Sequence, residues 1–147
     1  MVKDNNHLML SKAIIIATEA HLGQVDKGGE AYILHPIRVM MSLKDYEHKI
    51  VAVLHDVVED TIVSSEDLRL QGFNEKIIEA LIHLTRRKCE SYDDFIDRVI
   101  KNPIATEVKL ADIKDNMDLS RLKNPKEEDY IRLEKYKKAR KRLLNRA

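Results

Sequence analysis

Apolar residues recur every three or four positions along most of this chain, and this spacing predicts amphipathic α-helices. The first segment places at core spacing Leu8, Met9, Ala13, Ile16, Ala17 and Ala20, and it is expected to end before Gly23. Pro36 is expected to open the second helix, at a position where its missing N–H costs no hydrogen bond. The predicted segments are residues 5–24, 35–43, 47–60, a short stretch from 65, 74–84, 91–101, 102–119 and 123–147.

Polar residues mark where several of these helices begin. Asn74 is a favoured cap, and Ser91 with Asp94 three residues later resembles a capping box. No repeat or linker divides the chain, and four Gly and three Pro leave little material for the tight turns of an all-β fold. The pattern therefore predicts one all-α domain over residues 1–147, a bundle of about seven to eight helices.

Composition narrows the setting of this domain. A chain of 147 residues is long enough to bury roughly two-thirds of its unfolded surface around a single core. Cys89 is the one cysteine, which excludes an internal disulfide and a cysteine-based zinc site and favours a reducing compartment. No run of 18 or more apolar residues and no signal-type apolar stretch occurs. We therefore expect a cytoplasmic protein outside the membrane, and its oligomeric state stays open.

Positive charge is concentrated at the C-terminal end. Residues 121–147 carry a net charge of +7, and the preceding residues carry −6. Such a tail can bind nucleic acid, but apolar residues recur within it near helical spacing. These residues are Tyr130, Leu133, Tyr136, Leu143 and Leu144. Residues 123–147 are therefore predicted to form a basic amphipathic terminal helix with a solvated face, and nucleic-acid binding is disfavoured.

The hexapeptide HDVVED at residues 55–60 carries the candidate chemistry. On a helix, His55 and Glu59 share one face, and Asp56 and Asp60 share the adjacent one. The helix is expected to end within a few residues, so three carboxylates lie where the macrodipole disfavours anions by roughly 0.3–1 kcal/mol each. A bound divalent cation makes the same carboxylates favourable, because they become its ligands.

A metal site needs further ligands from elsewhere in the chain. The best candidates are His35, at a helix start, and Asp112, inside an apolar run where a buried carboxylate is costly unless paired or metal-bound. Simpler explanations exist: His35 can cap its own helix, Asp112 can pair with Lys114 or another cation, and Glu59 and Asp60 can be solvated helix-end charges. The remaining histidines are expected to be structural or on the surface, namely His7, His21, His48 and His83.

Three ordered motifs point further. They are AHLGQ at residues 20–24 with KGGEAYILHP at 27–36, LHDVVEDT at 54–61, and KLAD at 109–112 followed by Asn116. Together they resemble the HD hydrolase domain of the RelA/SpoT alarmone family over about residues 11–122. At 147 residues the chain has no room for the synthetase domain of the long enzymes. It resembles the small stand-alone hydrolases, including the metazoan SpoT homologue type.

This resemblance implies an HD-domain bundle around a Mn²⁺ ion, with another divalent transition metal as the alternative. The implied metal ligands are His35, His55, Asp56 and Asp112. Glu59 and Asp60 match the catalytic carboxylates of the family and are expected to orient or deprotonate the attacking water. The implied reaction removes the 3′-pyrophosphate of ppGpp or pppGpp and releases GDP or GTP.

The departures from the family concern the nucleotide more than the chemistry. Asp26 stands where the family usually carries the Arg that packs on guanine, and Ile113, Asp115 and Asp118 replace residues that are often basic or histidine. Each change is expected to remove positive charge from the nucleotide cleft. The residues still expected to contact substrate are Lys27, Lys109, Asn116, Arg86 and Arg87, with Asp26 available to ribose or base.

Two other functions remain open at this point. One keeps the metal site and changes the substrate to another nucleotide 2′- or 3′-phosphate, such as that of NADPH, and Asp26 favours it. The other is a non-catalytic domain that senses a nucleotide. The presence of both Glu59 and Asp60 disfavours the sensor, because binding alone does not require two carboxylates beside the metal ligands.

Overall fold

The structure, a computed structural model, describes residues 5–146, and these residues form eight α-helices joined by short connections. The helices are α1 (Asn6–Ala20), α2 (Leu34–Met41), α3 (Tyr46–Asp60), α4 (Ser65–Leu70), α5 (Glu75–Leu84), α6 (Tyr92–Ile100), α7 (Pro103–Asn116) and α8 (Glu127–Leu144). Extended pairing in this part of the chain is limited to one antiparallel bridge between Val25 and Ala31. The all-α prediction is confirmed.

Helix α3 forms the centre of the bundle. Five consecutive residues, 50–54, are all 0% exposed, because α3 packs against α1, α2, α5 and α7 on different sides. Burial all round removes the alternation of a surface helix, which explains the unbroken apolar run in the sequence. The last turn of α3 follows directly and carries the polar hexapeptide, so the fold places those side chains where α2 and α7 converge on α3.

The helix starts follow local side-chain chemistry. Asn74 and Ser91 cap α5 and α6 as predicted, each accepting a hydrogen bond from the backbone N–H three residues later. Asn102 caps α7 in the same way. The reciprocal capping box, with both of its hydrogen bonds, joins Ser64 and Asp67 at the start of α4. Short-range hydrogen bonds therefore define these four boundaries.

Helix α2 begins at Leu34, one residue before the predicted segment, so that Pro36 occupies its third position instead of the expected first. This costs no hydrogen bond, because the first four N–H groups of a helix have no partner within it. The earlier start places His35 inside the helix, with its side chain buried. On α1, the buried residues are Ala13 and Ala17, whereas Leu8 is exposed, contrary to the predicted core face.

Helix α8 is amphipathic, but its buried stripe differs from the predicted one. Leu143 is fully buried and Tyr136 is half-buried, whereas Tyr130 and Leu144 are 52% and 55% exposed. The face that packs on the bundle instead includes Asp129 and Ala139. None of the helices within residues 5–146 is long and apolar enough to cross a membrane.

Candidate functional site

The four predicted metal ligands converge from three helices. Asp112 on α7 places Oδ1 2.9 Å from His35 Nε2 on α2 and 3.3 Å from His55 Nε2 on α3. Asp56 places Oδ1 3.2 Å from His55 Nε2 and Oδ2 3.6 Å from His35 Nε2. One donor atom from each of His35, His55 and Asp56 lies within 4.8 Å of the other two. The arrangement brings two imidazole nitrogens and two carboxylates to a single point.

The rings are held so that the same nitrogen of each faces this point. His55 Nδ1 donates to the backbone oxygen of Ala52, one turn earlier on α3. His35 Nδ1 donates to Asp115 Oδ2 at 2.7 Å. The carboxylate of Asp56 is held as well, because the Tyr32 hydroxyl donates to its Oδ2 at 2.6 Å. Outer hydrogen bonds of this kind are what orient the ligands of protein metal sites.

Charges within the cluster determine its protonation. Burial disfavours the charged imidazolium, but hydrogen bonds to Asp112 and Asp115 outweigh this and raise the pKa of His35 to about 9. For His55, the neighbouring Asp56 and the hydrogen bond to Asp112 likewise overcome burial and raise the pKa to about 10. Without an ion, two protons therefore supply the positive charge that the carboxylates require.

A divalent cation fits this donor set. Imidazole nitrogens together with carboxylate oxygens suit Mn, Fe and Zn, and a metal ion replaces the two imidazole protons as the source of positive charge. The explanation of His35 as a simple helix cap is wrong, because both of its ring nitrogens contact carboxylates of α7.

Asp112 is the most connected member of the cluster. Its Oδ2 accepts a hydrogen bond from Lys109 Nζ at 2.9 Å, and its Oδ1 accepts one from Asn116 Nδ2 at 3.1 Å. The alternative pairing with Lys114 is therefore wrong, and Lys109 is the cation that faces Asp112. Although burial opposes ionisation, Lys109 and the two imidazoles hold the pKa of Asp112 well below its usual range. Lys109 and Asn116 thus support the metal ligands while also lining the cleft.

The two predicted catalytic carboxylates flank the cluster at the end of α3. Burial, and after it repulsion from the charge of Asp56, raises the pKa of Asp60. Burial also raises the pKa of Glu59, together with the charges of Asp56 and Asp60, although nearby Lys109 opposes this. Glu59 lines the cleft, whereas Asp60 lies beside it. Of the two, Glu59 is therefore the carboxylate with direct access to a molecule bound in the cleft.

The cleft above the cluster has a volume of about 540 Å³, which falls within the usual range of small-molecule sites. Among the residues predicted to contact substrate, those that line it are Asp26, Lys27, Arg86, Lys109 and Asn116. Arg87 is exposed and stands outside the lining. Its backbone N–H donates instead to Glu90 in the α5–α6 connection.

Asp26 stabilises the loop that contributes to this part of the cleft. Its Oδ1 accepts hydrogen bonds from the backbone N–H groups of Gly28 and Glu30, both at 2.9 Å, and so closes the loop ahead of α2. Gly28 packs this loop against the backbone of Arg121, whose carbonyl oxygen lies 2.9 Å from where a Cβ would stand. The loop therefore has one carboxylate oxygen committed to its own backbone.

Several cations of the cleft were missed by the sequence analysis. They are Arg38 on α2, Arg121 after α7, and Arg132 and Lys135 on α8. The aspartates that depart from the family pattern, Asp26, Asp115 and Asp118, also line the cleft, so acidic and basic side chains face each other there. The sequence predicted that the basic face of the terminal helix is solvated. In the structure, part of this face lines the cleft. Arg132 precedes Tyr136 by four residues, so the two share one face of α8, and this spacing was the available signal.

The remaining histidines lie away from the metal ligands, as predicted. His21 is buried, and its Nδ1 lies 2.9 Å from Gln24 Oε1. His7, His48 and His83 are on the outer parts of their helices, and none of the four lines the cleft.

The chain is similar to several known proteins, although no protein-family model matches its sequence. The chain is 32% identical over 123 residues to the bifunctional (p)ppGpp synthase/hydrolase SpoT of Escherichia coli K12, covering 74% of this chain and 17% of that protein. It is 31% identical over 120 residues to the guanosine-3′,5′-bis(diphosphate) 3′-pyrophosphohydrolase of Aquifex aeolicus, again covering 74% of this chain and 17% of that protein. Over about three quarters of its length, the chain is therefore similar to proteins of the SpoT type.

A solved structure shows the same similarity. A metazoan orthologue of SpoT, described as hydrolysing ppGpp, superposes with a TM-score of 0.77 at 25% identity. The match covers 93% of this chain and 85% of that one. The curated relatives are much longer: the chain spans 17% of the length of the Escherichia coli and Aquifex proteins and 12% of a Borreliella burgdorferi pyrophosphohydrolase to which it is 39% identical over 79 residues.

Proposed function

We propose that this protein is a Mn²⁺-dependent phosphohydrolase that removes the 3′-pyrophosphate of ppGpp and pppGpp and releases GDP or GTP. The observation that carries the proposal is the convergence of His35, His55, Asp56 and Asp112 beside Glu59 in one cleft. The relatives named for this activity support the choice of substrate. We place the activity in the cytoplasm, where the exposed thiol of Cys89 stays reduced.

In this proposal, His35 Nε2, His55 Nε2 and the carboxylates of Asp56 and Asp112 would hold the cation. Tyr32 fixes Asp56, and Lys109 and Asn116 fix Asp112, so the ligands are oriented before the ion binds. When bound, a divalent cation lowers the pKa of water and polarises the phosphorus under attack.

Glu59 is assigned as the general base. It lines the cleft, and partial burial raises its pKa, so its carboxylate holds a proton more readily than a fully solvated one. Glu59 takes a proton from the water that attacks the phosphorus bonded to the ribose 3′ oxygen, and the bond between that phosphorus and oxygen then breaks. The 3′ oxygen takes a proton from solvent and leaves as a hydroxyl, and pyrophosphate is released. Asp60, beside the cleft, is assigned to orienting this water.

The cleft cations are assigned to the substrate phosphates. Lys27 is 55% exposed, with Asp129 3.8 Å away, and Arg86 lines the cleft while its Nε donates to the backbone oxygen of Glu90, so both side chains are within reach of anionic groups. Arg132 and Lys135 extend this lining along α8. A guanidinium can bind a phosphate through two parallel N–H groups, which fixes the orientation of the nucleotide as well as its affinity.

A second candidate function is supported by Asp26. This residue replaces a base-stacking Arg with a carboxylate that faces the cleft, and its second oxygen remains available to accept hydrogen bonds. Such a group suits a ribose or base with donors better than it suits stacking. The corresponding reaction removes a terminal 2′- or 3′-phosphate from another nucleotide, such as NADPH, with the same metal ligands and the same base.

The deciding experiment is an assay of purified, Mn²⁺-loaded protein against ppGpp, pppGpp, NADPH and nucleoside 2′- and 3′-monophosphates. The proposal predicts the highest kcat/KM for ppGpp and pppGpp, with GDP or GTP and pyrophosphate as products. Turnover of NADPH with intact ppGpp would select the second candidate. The matched control is Asp60→Asn, which keeps every metal ligand. It is expected to bind Mn²⁺ like the wild type and to hydrolyse substrate at least about tenfold more slowly.

A further inference from the structure

Asp115 lies one turn beyond Asp112 on α7 and contacts a metal ligand from behind. Its Oδ2 accepts the hydrogen bond from His35 Nδ1 at 2.7 Å, on the opposite side of the ring from the cluster. The side chain is 12% exposed, so this carboxylate is largely withdrawn from water. In the sequence Asp115 is notable only as a departure from the family pattern, and no catalytic or binding role was assigned to it.

Two arginines hold this carboxylate in place. Arg38 donates from Nε to Asp115 Oδ1 at 2.8 Å and from Nη2 to Oδ2 at 3.0 Å, which is a two-point contact. Arg121 donates to the backbone oxygen of Asp115 at 2.9 Å and approaches Oδ2 at 3.4 Å. The carboxylate is therefore bound along two directions and keeps a fixed orientation toward His35.

The two histidine ligands differ in how their outer nitrogens are satisfied. His55 donates to the backbone oxygen of Ala52, a partner that any sequence on this helix supplies. His35 Nδ1 instead donates to the side chain of Asp115. A neutral imidazole carries one N–H, and only the form protonated at Nδ1 presents the lone pair of Nε2 to an ion.

We propose that Asp115 is a positioning residue that fixes the tautomer and ring orientation of His35, so that Nε2 is directed at the metal. An ionised carboxylate only accepts hydrogen bonds, so it requires a proton on Nδ1 and selects this tautomer. Asp115 thus performs for His35 what the backbone performs for His55. This inference rests on the metal-binding part of the proposed function and is independent of which nucleotide is hydrolysed.

A purely structural role gives a different expectation. In that case Asp115 only ties α7 to α2 through Arg38, and its removal lowers the thermal stability while the folded protein binds metal as before. Metal affinity therefore separates the two roles. Loss of an outer partner of a metal-bound histidine weakens metal affinity by about 10–100-fold.

The test measures the Mn²⁺ and Zn²⁺ dissociation constants of the full chain by competition with a chelating dye. Asp115→Ala is expected to weaken both by about 10–100-fold, and Asp115→Asn, whose amide oxygen still accepts from Nδ1, by about tenfold or less. Asp118→Asn is the matched control. Like the Asp115 variants, it removes one negative charge that contacts Arg121. Asp118, however, bonds Ser120 and Arg121 and does not contact His35. Its metal affinity is expected to stay within about twofold of the wild type.

A second readout reports the tautomer directly. In ¹⁵N spectra of the Zn²⁺-loaded protein, the His35 signals of the wild type are expected to show a protonated Nδ1 and a metal-bound Nε2. In Asp115→Ala, a mixture of forms or loss of the Nε2 signature is expected. If Asp115→Ala does not fold, the decision passes to Asp115→Leu, which is close to aspartate in shape but has no oxygen to accept from Nδ1. Unchanged metal affinity together with unchanged His35 signals in that variant overturns the inference.

Failure of this inference is distinguishable from failure of the proposed function. If the wild type binds neither Mn²⁺ nor Zn²⁺, the metal site itself is refuted, and the role of Asp115 falls with it. If the wild type binds tightly and both Asp115 variants bind within about twofold of it, only the positioning role is refuted.

Discussion

Asp112 is the residue whose removal tests the electrostatic account of the site most severely. Its carboxylate is 5% exposed and contacts four side chains, of which His35, His55 and Lys109 are cationic in the ion-free protein. Asp112→Ala removes the anion and leaves those cations together. We therefore expect a large loss of stability when no metal is present.

The size of this loss follows from burial. Lys109 is 13% exposed at its side chain, and Asp112 is its ion-pair partner at 2.9 Å. Removing one partner of a buried ion pair costs about 3–5 kcal/mol, because the remaining charge stays desolvated. For a chain of this size, each kcal/mol corresponds to a change in Tm of roughly 2–4 °C, so the expected decrease is roughly 6–20 °C.

The assay is urea unfolding of the wild type and variants with EDTA present, followed by circular dichroism. The matched control is Asp97→Ala, which breaks an exposed ion pair with Arg142 and is expected to cost less than about 1 kcal/mol. The double variant Lys109→Met/Asp112→Ala is expected to lose less stability than the sum of the losses in the two single variants. The reason is that neither charged partner is then left alone. A loss below about 1 kcal/mol for Asp112→Ala refutes the reasoning, since the carboxylate is then not needed to balance the buried cations.

Three further predictions concern metal, catalysis and substrate. Glu59→Gln should bind Mn²⁺ like the wild type but lower kcat by about 10²–10⁴-fold. The assay measures product release by protein whose metal content has been determined, and a kcat equal to that of the wild type contradicts the assignment of Glu59 as the base. Because the pKa values of His35 and His55 are raised to about 9 and 10, both side chains are protonated at pH 7 in the ion-free protein. Binding of one Mn²⁺ should therefore release close to two protons, which calorimetry in buffers of different ionisation enthalpy measures. Metal affinity should accordingly rise with pH between 7 and 9, and a pH-independent affinity contradicts the shifts. Arg86→Ala should raise KM about tenfold while Arg87→Ala changes it less than twofold, because only Arg86 lines the cleft; equal effects contradict that placement.

Much of the fold was predictable because it depends on local chemistry. Helical periodicity and the caps at Asn74 and Ser91 act over three or four residues, and the structure reproduces them. The start of α2 was misplaced because a proline is tolerated throughout the first turn, so Pro36 alone does not define the boundary. On α8, spacing identified a helix but not which face packs, since that depends on the neighbouring helices.

The convergence of His35, His55, Asp56 and Asp112 was predictable for a different reason. Asp112 within an apolar run is a costly placement that indicates a partner, and the hexapeptide concentrates carboxylates where a helix disfavours them. The supporting contacts were not predictable. Arg38 and Asp115 are 77 residues apart, and neither is unusual in its local sequence. Such a pair is visible only once α2 and α7 are side by side.

The central claim is that Mn²⁺-loaded protein directs water to the phosphorus bonded to the 3′ oxygen of ppGpp. The most direct test is to hydrolyse ppGpp in H₂¹⁸O and to determine the mass of both products. The account predicts GDP without label and pyrophosphate with one ¹⁸O atom, since the bond between phosphorus and the 3′ oxygen is the one that breaks. Label in the GDP, or ppGpp left intact by protein that has bound Mn²⁺, contradicts the account.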